Sequence, residues 1–152
     1  MNKTNRKLKI SIFSAMQKTN GSVMVVNDSI LETHHALTIL KKNGILGDVL
    51  TKHSAWEALE FLQQEYVKGA ALPRLIILDM NMPELSGIDF LQAFQHLPEL
   101  ICNWVSIVVV NASEQKDVHD YVMQFPQIIY YHTAPLSFDS LEKIAYQINS
   151  FD

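Results

Sequence analysis

The chain has 152 residues, an ordinary apolar content and a net charge of −4 with histidines neutral. That length suits one domain with one good core, and the mild negative charge gives no global pull toward nucleic acid or anionic membranes. A single cysteine, Cys102, excludes an internal disulfide framework, and no apolar stretch approaches the roughly 20 residues that a membrane span needs, so the expected setting is the cytoplasm.

Residues 1–20 carry Lys3, Arg6, Lys7, Lys9 and Lys18 with no acid, which leaves the chain from Val23 onward clearly acidic. Residues 1–22 therefore read as a basic leader, flexible or loosely docked, and residues 23–152 as the folded domain. As a basic arm the leader would touch a partner or a membrane surface. Ile10, Ile12 and Phe13 could instead dock it on the domain.

Residues 23–27 begin with a continuous apolar run, the pattern of a strand covered on both faces. Ser29 with Glu32 three residues later predicts a capping box and a helix to about Lys42, ending near Gly44. Residues 48–52 predict a second strand. Ser54 with Glu57 predicts another capping box, with a helix through about Tyr66 that ends before Gly69. Residues 74–79, entered after Pro73, predict the third strand. A third helix runs from Gly87 to about Gln95, with Ile88, Leu91 and Phe94 at core-facing spacing, and Pro98 ends it. Residues 105–110 are the most β-branched run and predict a central strand. Ser113 is placed to cap a fourth helix over residues 114–125. Residues 128–131 predict the fifth strand. Ser137 is placed to cap a last helix over residues 138–150, with Leu141, Ile144, Ala145 and Ile148 as its apolar stripe. Strict alternation of five strands and five helices implies an α/β fold: a parallel sheet with helices on both faces and right-handed crossovers.

In such a sheet, ligand chemistry sits at the C-terminal strand tips. Asp79 stands at one, after Leu75-Ile76-Ile77-Leu78, and opens into Met80-Asn81-Met82-Pro83-Glu84-Leu85-Ser86-Gly87. Asp28 stands at another, after Val23-Met24-Val25-Val26. Two carboxylates at neighbouring strand ends can hold one hard cation.

Four segments in order, on the expected elements, resemble the receiver domain of two-component response regulators, the CheY-like fold. They are residues 79–87, similar to the phosphoacceptor loop; Val25-Val26-Asn27-Asp28, similar to the acidic pair; Val108-Val109-Val110-Asn111-Ala112-Ser113, at the hydroxyl-bearing strand end; and Tyr131-His132-Thr133-Ala134-Pro135-Leu136, at the aromatic switch, the lysine and its proline. The resemblance covers roughly residues 23–149. It implies a flavodoxin-like (βα)5 doubly wound sheet in strand order 2-1-3-4-5. It further implies that Asp79 accepts a phosphoryl group from a histidine kinase or phosphotransfer protein. Asp28, Asp79 and the Asn81 backbone carbonyl would bind Mg2+, Tyr131 would be the rotating switch, and a cis peptide would precede Pro135.

Three positions depart from the family pattern. Asn27 replaces an acid and would reach the metal through water. Asn111 replaces Thr or Ser and offers a larger amide donor. Ala134 replaces Lys, and a charge-assisted hydrogen bond of the kind it loses is worth about 1.5–3 kcal/mol. Two functions follow as expectations: a Mg2+-dependent phosphoacceptor that is not a turnover enzyme, and a pseudo-receiver acting as a phosphorylation-independent adaptor. The chain ends soon after its last helix, so output is expected through protein contacts on the face of the fourth helix, fifth strand and fifth helix. Leu136, Phe138 and residues 114–125 are its candidates, with weak homodimerisation there as a further expectation. No DNA partner and no membrane span are expected.

The six histidines lack metal-ligand spacing. His34 and His35 point about 100° apart on a helix. They read as surface or capping residues, with His132 nearest the site. Cys102 reads as a buried small residue. Trp56 and Trp104 read as packing, Trp104 also as an anchor near the connection into the fourth strand. No Gly-rich elbow surrounds Ser106 or Ser113, and no GxGxxG or GxxxxGK[ST] is present.

Overall fold

The computed structural model describes residues 22–42, 49–140 and 143–144. The basic leader, the helix stop at Gly44 and most of the last predicted helix lie outside them. Five strands form one parallel sheet in the order β2-β1-β3-β4-β5. They are β1 (Val23–Val26), β2 (Val49–Lys52), β3 (Leu75–Asp79), β4 (Ser106–Asn111) and β5 (Ile128–Thr133). The helices among the described elements are α1 (Ile30–Lys42), α2 (Ala55–Lys68), α3 (Gly87–Phe94), α4 (Glu99–Trp104) and α5 (Lys116–Val122). The predicted architecture and strand order are those observed.

Because side chains alternate across a strand, β1 and β3 feed two cores. Met24, Val26, Ile76 and Leu78 join Leu62 of α2 and Phe90, Leu91 and Phe94 of α3 on one face. Val23, Val25, Leu75 and Ile77 join Ala36 and Leu40 of α1, with Leu136 and Ile144, on the other. Burial on both faces explains the unbroken apolar runs. Phe90 and Phe94 are fully enclosed, with ring centroids 5.9 Å apart. Truncating either to Ala removes about 3–5 kcal/mol.

The helix starts differ in detail from the sequence expectation. Ser54 Oγ accepts the Glu57 N–H, but the Glu57 carboxylate turns to the N–H of His53. Ser29 Oγ accepts the Glu32 N–H, while Glu32 is drawn to the side chain of Asn27. Both predicted capping boxes are thus half formed. A reciprocal box forms instead at Ser86 and Asp89, opening α3. Ser137 Oγ accepts the Ser140 N–H, as its predicted cap requires. Ser113 does not cap α5, which starts later, at Lys116, with Gln115 as an N-cap lacking a side-chain bond.

The short helix α4 was not expected. Pro98 suits its entry because a proline lacks the N–H that a first turn cannot satisfy, and Glu99 lies favourably at the N-terminal dipole. Trp104 follows the packing expectation: Arg74 lies over its ring at 5.0 Å, and its indole N–H donates to the Leu72 carbonyl at 3.3 Å. Trp56 does not, being 62% exposed. It is next to Ala55 in sequence, and the helical rotation of about 100° per residue turns it off the Ala55, Ala58, Leu59 and Leu62 face. Cys102 is only partly buried, its Sγ donating to the Phe94 carbonyl, and desolvation pushes its thiol pKa up.

Candidate functional site

The C-terminal tips of β1, β3 and β4 lie side by side because Val26, Leu78 and Val109 are in register across the sheet. The chain therefore leaves the sheet at Asn27, Met80 and Ala112 on one edge. Asp79 is buried, at 8% exposure. The backbone N–H of Asn81 donates to its Oδ1 at 3.1 Å. Burial is the main reason its carboxyl pKa is raised; the bond from Asn81 opposes that, and the negative charges of Glu32 and Asp28 add to it. Asp28 is exposed at the mouth of the same edge.

The loop after Asp79 is held by local chemistry. Gly87 N–H donates to the Met80 carbonyl at 3.2 Å. A Cβ on Gly87 would lie 2.5 Å from Met80 Sδ and 2.7 Å from Met80 Cα, so the close approach of α3 to the strand end demands glycine. Glu84 adopts φ 64°, a left-handed conformation uncommon for a non-glycine residue.

Asn111 makes the densest polar cluster of the edge. Asn81 Nδ2 donates to Asn111 Oδ1 at 3.0 Å, and the Ala112 N–H donates to the same oxygen at 2.9 Å. Asn111 Nδ2 in turn donates to the Tyr131 hydroxyl at 2.7 Å. The Tyr131 ring meets the His119 ring edge-on at 5.0 Å. A continuous chain of contacts thus runs from the Asp79 carboxylate through Asn81 and Asn111 to Tyr131, half-buried on β5.

On the opposite side of Asp79, the peptide between Ala134 and Pro135 is cis, and Ala134 N–H donates to the Asn111 carbonyl at 2.6 Å. Here a pocket of about 70 Å3 opens against Asp79, lined among others by Glu32, His35, Ala36, Ala134 and Leu136. His35 Nε2 donates to the Leu136 carbonyl at 2.8 Å. Glu32 and His35 are site residues that the sequence reading assigned to capping and surface roles. The available signal was helical position: residues 32, 35 and 36 follow Asp28 by one to two turns, with Ala36 on the buried face of α1 and Glu32 and His35 exposed beside it.

These features pointed to one family, and the family comparison agrees. The model of the response regulator receiver domain matches residues 23–128. The chain belongs to that family. Response regulator Rcp1 of Synechocystis is 27% identical over 132 residues, covering 85% of this chain and 86% of Rcp1. The crystal structure of the Mn(2+)-bound form of Rcp1 superposes with a TM-score of 0.65 at 25% identity, covering 86% of this chain and 93% of that one. A two-component response regulator from Cytophaga hutchinsonii superposes at 0.78, with 19% identity over 86% of this chain and 97% of that one, a likeness of fold. Receiver domains act between kinases and downstream targets.

Set against the family pattern, the receiver edge brings together Asp28, Asp79 and Asn81, and on its other side Asn111, Tyr131 and Ala134. Asn27 is largely engaged: its Oδ1 accepts the Ser29 N–H at 2.9 Å and its Nδ2 donates to Glu32 at 2.9 Å. His132 Nε2 donates to the Pro135 carbonyl at 2.8 Å. Leu136, expected on an outward face, is buried at 5% exposure, because it joins the apolar cluster of Val25 and Ile77. No three His, Cys, Asp or Glu side chains converge as a metal cluster among the described residues. None of the described helices is long and apolar enough to cross a membrane.

Proposed function

We propose that this receiver accepts a phosphoryl group on Asp79 from the phosphohistidine of a histidine kinase or phosphotransfer protein. The observation that carries this reading is a buried carboxylate at the tip of β3, with Asp28 and Glu32 adding negative charge and no ion pair to it among the described residues. In the transfer the N–P bond of the donor breaks, an O–P bond forms on an Asp79 oxygen, and the donor imidazole leaves.

Magnesium fits the donor set. It prefers oxygen ligands and keeps several waters, so two carboxylates and one carbonyl suffice. Asp28, Asp79 and the Asn81 carbonyl would hold it, and the remaining lone pair of Asn27 Oδ1 could orient a bound water. When bound, the dication neutralises charge on the transferring phosphoryl oxygens. The divalent cation in the Rcp1 structure supports the same chemistry.

The residues of the chain do the rest. The N–H of Asn81 holds the Asp79 carboxylate in place. Asn81 and Asn111 supply amide donors where a phosphoryl oxygen would arrive. A new negative group there competes with Asn111 Oδ1 for the Asn81 amide, which loosens the contact to Tyr131. The readout surface is α5 with β5, where Tyr121 and Met123 are about two-fifths exposed. Phosphorylation so alters a protein-binding face; the chain does not turn over a substrate, and its setting is the cytoplasm.

A second reading, a phosphorylation-independent adaptor, is favoured by one observation. A methyl group at Ala134 stands where the pattern has an ammonium, and among the described residues no Lys or Arg lines the pocket beside Asp79. Intact-mass measurement with acetyl phosphate and Mg2+ separates the readings. The first requires a single phosphoryl adduct, absent in Asp79→Asn. A stable, folded protein that takes no adduct, and whose Tyr131 and Asn111 resonances ignore beryllofluoride with Mg2+, would leave the adaptor.

A further inference from the structure

The pocket beside Asp79 has a composition that the phosphoacceptor reading does not use. Most of its wall is hydrocarbon, with Val25 and Ile77 from the sheet, Ala36 from α1, and Leu136 after the cis turn; Asn27 and His35, already bonded to Glu32 and to the Leu136 carbonyl, also line it. Two carboxylates, Asp79 and Glu32, also border it. Its volume of about 70 Å3 is several times the roughly 10–15 Å3 that one water requires.

Asp79 is more than nine-tenths buried. Among the described residues, the hydrogen bond that reaches its carboxylate within 3.5 Å is the one from the Asn81 N–H to Oδ1; the Asn81 side-chain amide adds only a weaker stabilisation. Oδ2 accepts none and no cation pairs with it among the described residues. A buried carboxylate with an open oxygen on an apolar-walled pocket is strongly biased toward a cation. A hydrated metal ion makes poor use of hydrocarbon walls. A neutral molecule leaves the charge uncompensated, and an anion is repelled.

We propose that this pocket is a binding site for a short aliphatic primary ammonium. The ammonium would donate to Asp79 Oδ2 and approach Glu32, with a stem of two or three carbons against Val25, Ala36, Ile77 and Leu136. An ammonium has three donors and no acceptor, which suits the two carboxylates on the rim. The methyl group of Ala134 leaves the space open.

The binding claim does not rest on phosphorylation. It is tested on the full chain with n-propylammonium chloride, in the absence of Mg2+ and of any phosphodonor, so the fate of the phosphoacceptor reading cannot decide it. Methyl resonances of Ala36, Ala134 and Leu136 should shift and saturate, at concentrations on the order of millimolar for so small a ligand. Asp79→Asn should weaken binding at least tenfold, and Glu32→Gln several-fold. Ala134→Lys should abolish it by placing the chain's own ammonium in the pocket. Tetramethylammonium, which cannot donate, and n-propanol, which carries no charge, should each bind at least tenfold more weakly. Equal shifts with n-propanol would reduce the site to an apolar hole and overturn the proposal. So would equal shifts with tetramethylammonium, or undiminished binding in a folded Asp79→Asn protein.

Discussion

The two halves of the strand-tip edge are built differently. The β1/β3 half offers carboxylates: Asp79 buried, Asp28 exposed, Glu32 alongside. The β4/β5 half offers an amide, a phenol and a methyl group, with Asn111 bonded to both Asn81 and Tyr131. The first half concentrates negative charge, and the second contributes no cation among the described residues. The contrast teaches that fold and chemistry are separable here. Backbone geometry up to the cis turn fits the family pattern, while side-chain charge departs from it on both sides, at Asn27 and at Ala134.

The largest expected effect tests the acidic half. Asp79→Asn should eliminate the phosphoryl adduct from acetyl phosphate with Mg2+. The same change should make the protein more stable near neutral pH, read as a higher melting temperature. The folded state raises the Asp79 pKa above its ordinary value of 3.8, mainly through burial. The native state therefore binds the proton more tightly than the unfolded chain. Stability from this group is fully present below the ordinary value and is lost as pH rises through the raised one. Asparagine removes that loss, so the difference in stability between variant and parent should grow with pH across the window above 3.8 and then level off.

Next in size, Ala134→Lys should make the second half more like the first in its capacity for phosphoryl chemistry. A charge-assisted hydrogen bond of about 1.5–3 kcal/mol corresponds to roughly 10–100-fold in the rate of adduct formation or in its lifetime. Mass spectrometry over time checks this, and an unchanged time course would show that the acidic half alone sets the rate.

Asn111→Ala should cost about 1–3 kcal/mol in urea unfolding, because it strips partners from the Asn81 amide and the Tyr131 hydroxyl. Tyr131→Phe separates the two bonds and should cost less, about 1 kcal/mol. If instead Asn111→Ala is neutral, water replaces the amide, and the proposed link between the halves is not rigid.

The smallest effect concerns the loop that joins them. Ser86→Ala removes the reciprocal cap of α3 and should cost about 1 kcal/mol, with little change in the chemistry at Asp79. A strong loss of adduct in this variant would show that the loop position, more than the carboxylates, controls the acidic half.

Much of the molecule was legible in the sequence. The unbroken apolar runs of β1 and β3 declared strands covered on both faces, and their alternation with helices declared a parallel sheet. Asp79 was legible because a lone acid after Leu75-Ile76-Ile77-Leu78 must sit at a strand tip. Local rules were weaker where a competitor was near. Ser29 and Ser54 had the spacing of capping boxes, but Asn27 and the N–H of His53 drew the glutamates away. Trp56 looked like core by residue type, and only its place on the helix put it in water. The helix α4 was hidden behind a proline read as a stop.

Local periodicity and the chemistry of strand ends follow from the order of residues alone, so the sequence by itself determined the layered α/β fold and the position of the acidic edge. Packing decided what distant segments do to one another. It buried Leu136 after the cis turn, turned His35 onto the Leu136 carbonyl, and left a pocket where Glu32 faces Asp79. Those contacts join residues up to 101 positions apart, and their energies depend on burial and mutual distance, quantities that exist only once the helices have closed on the sheet.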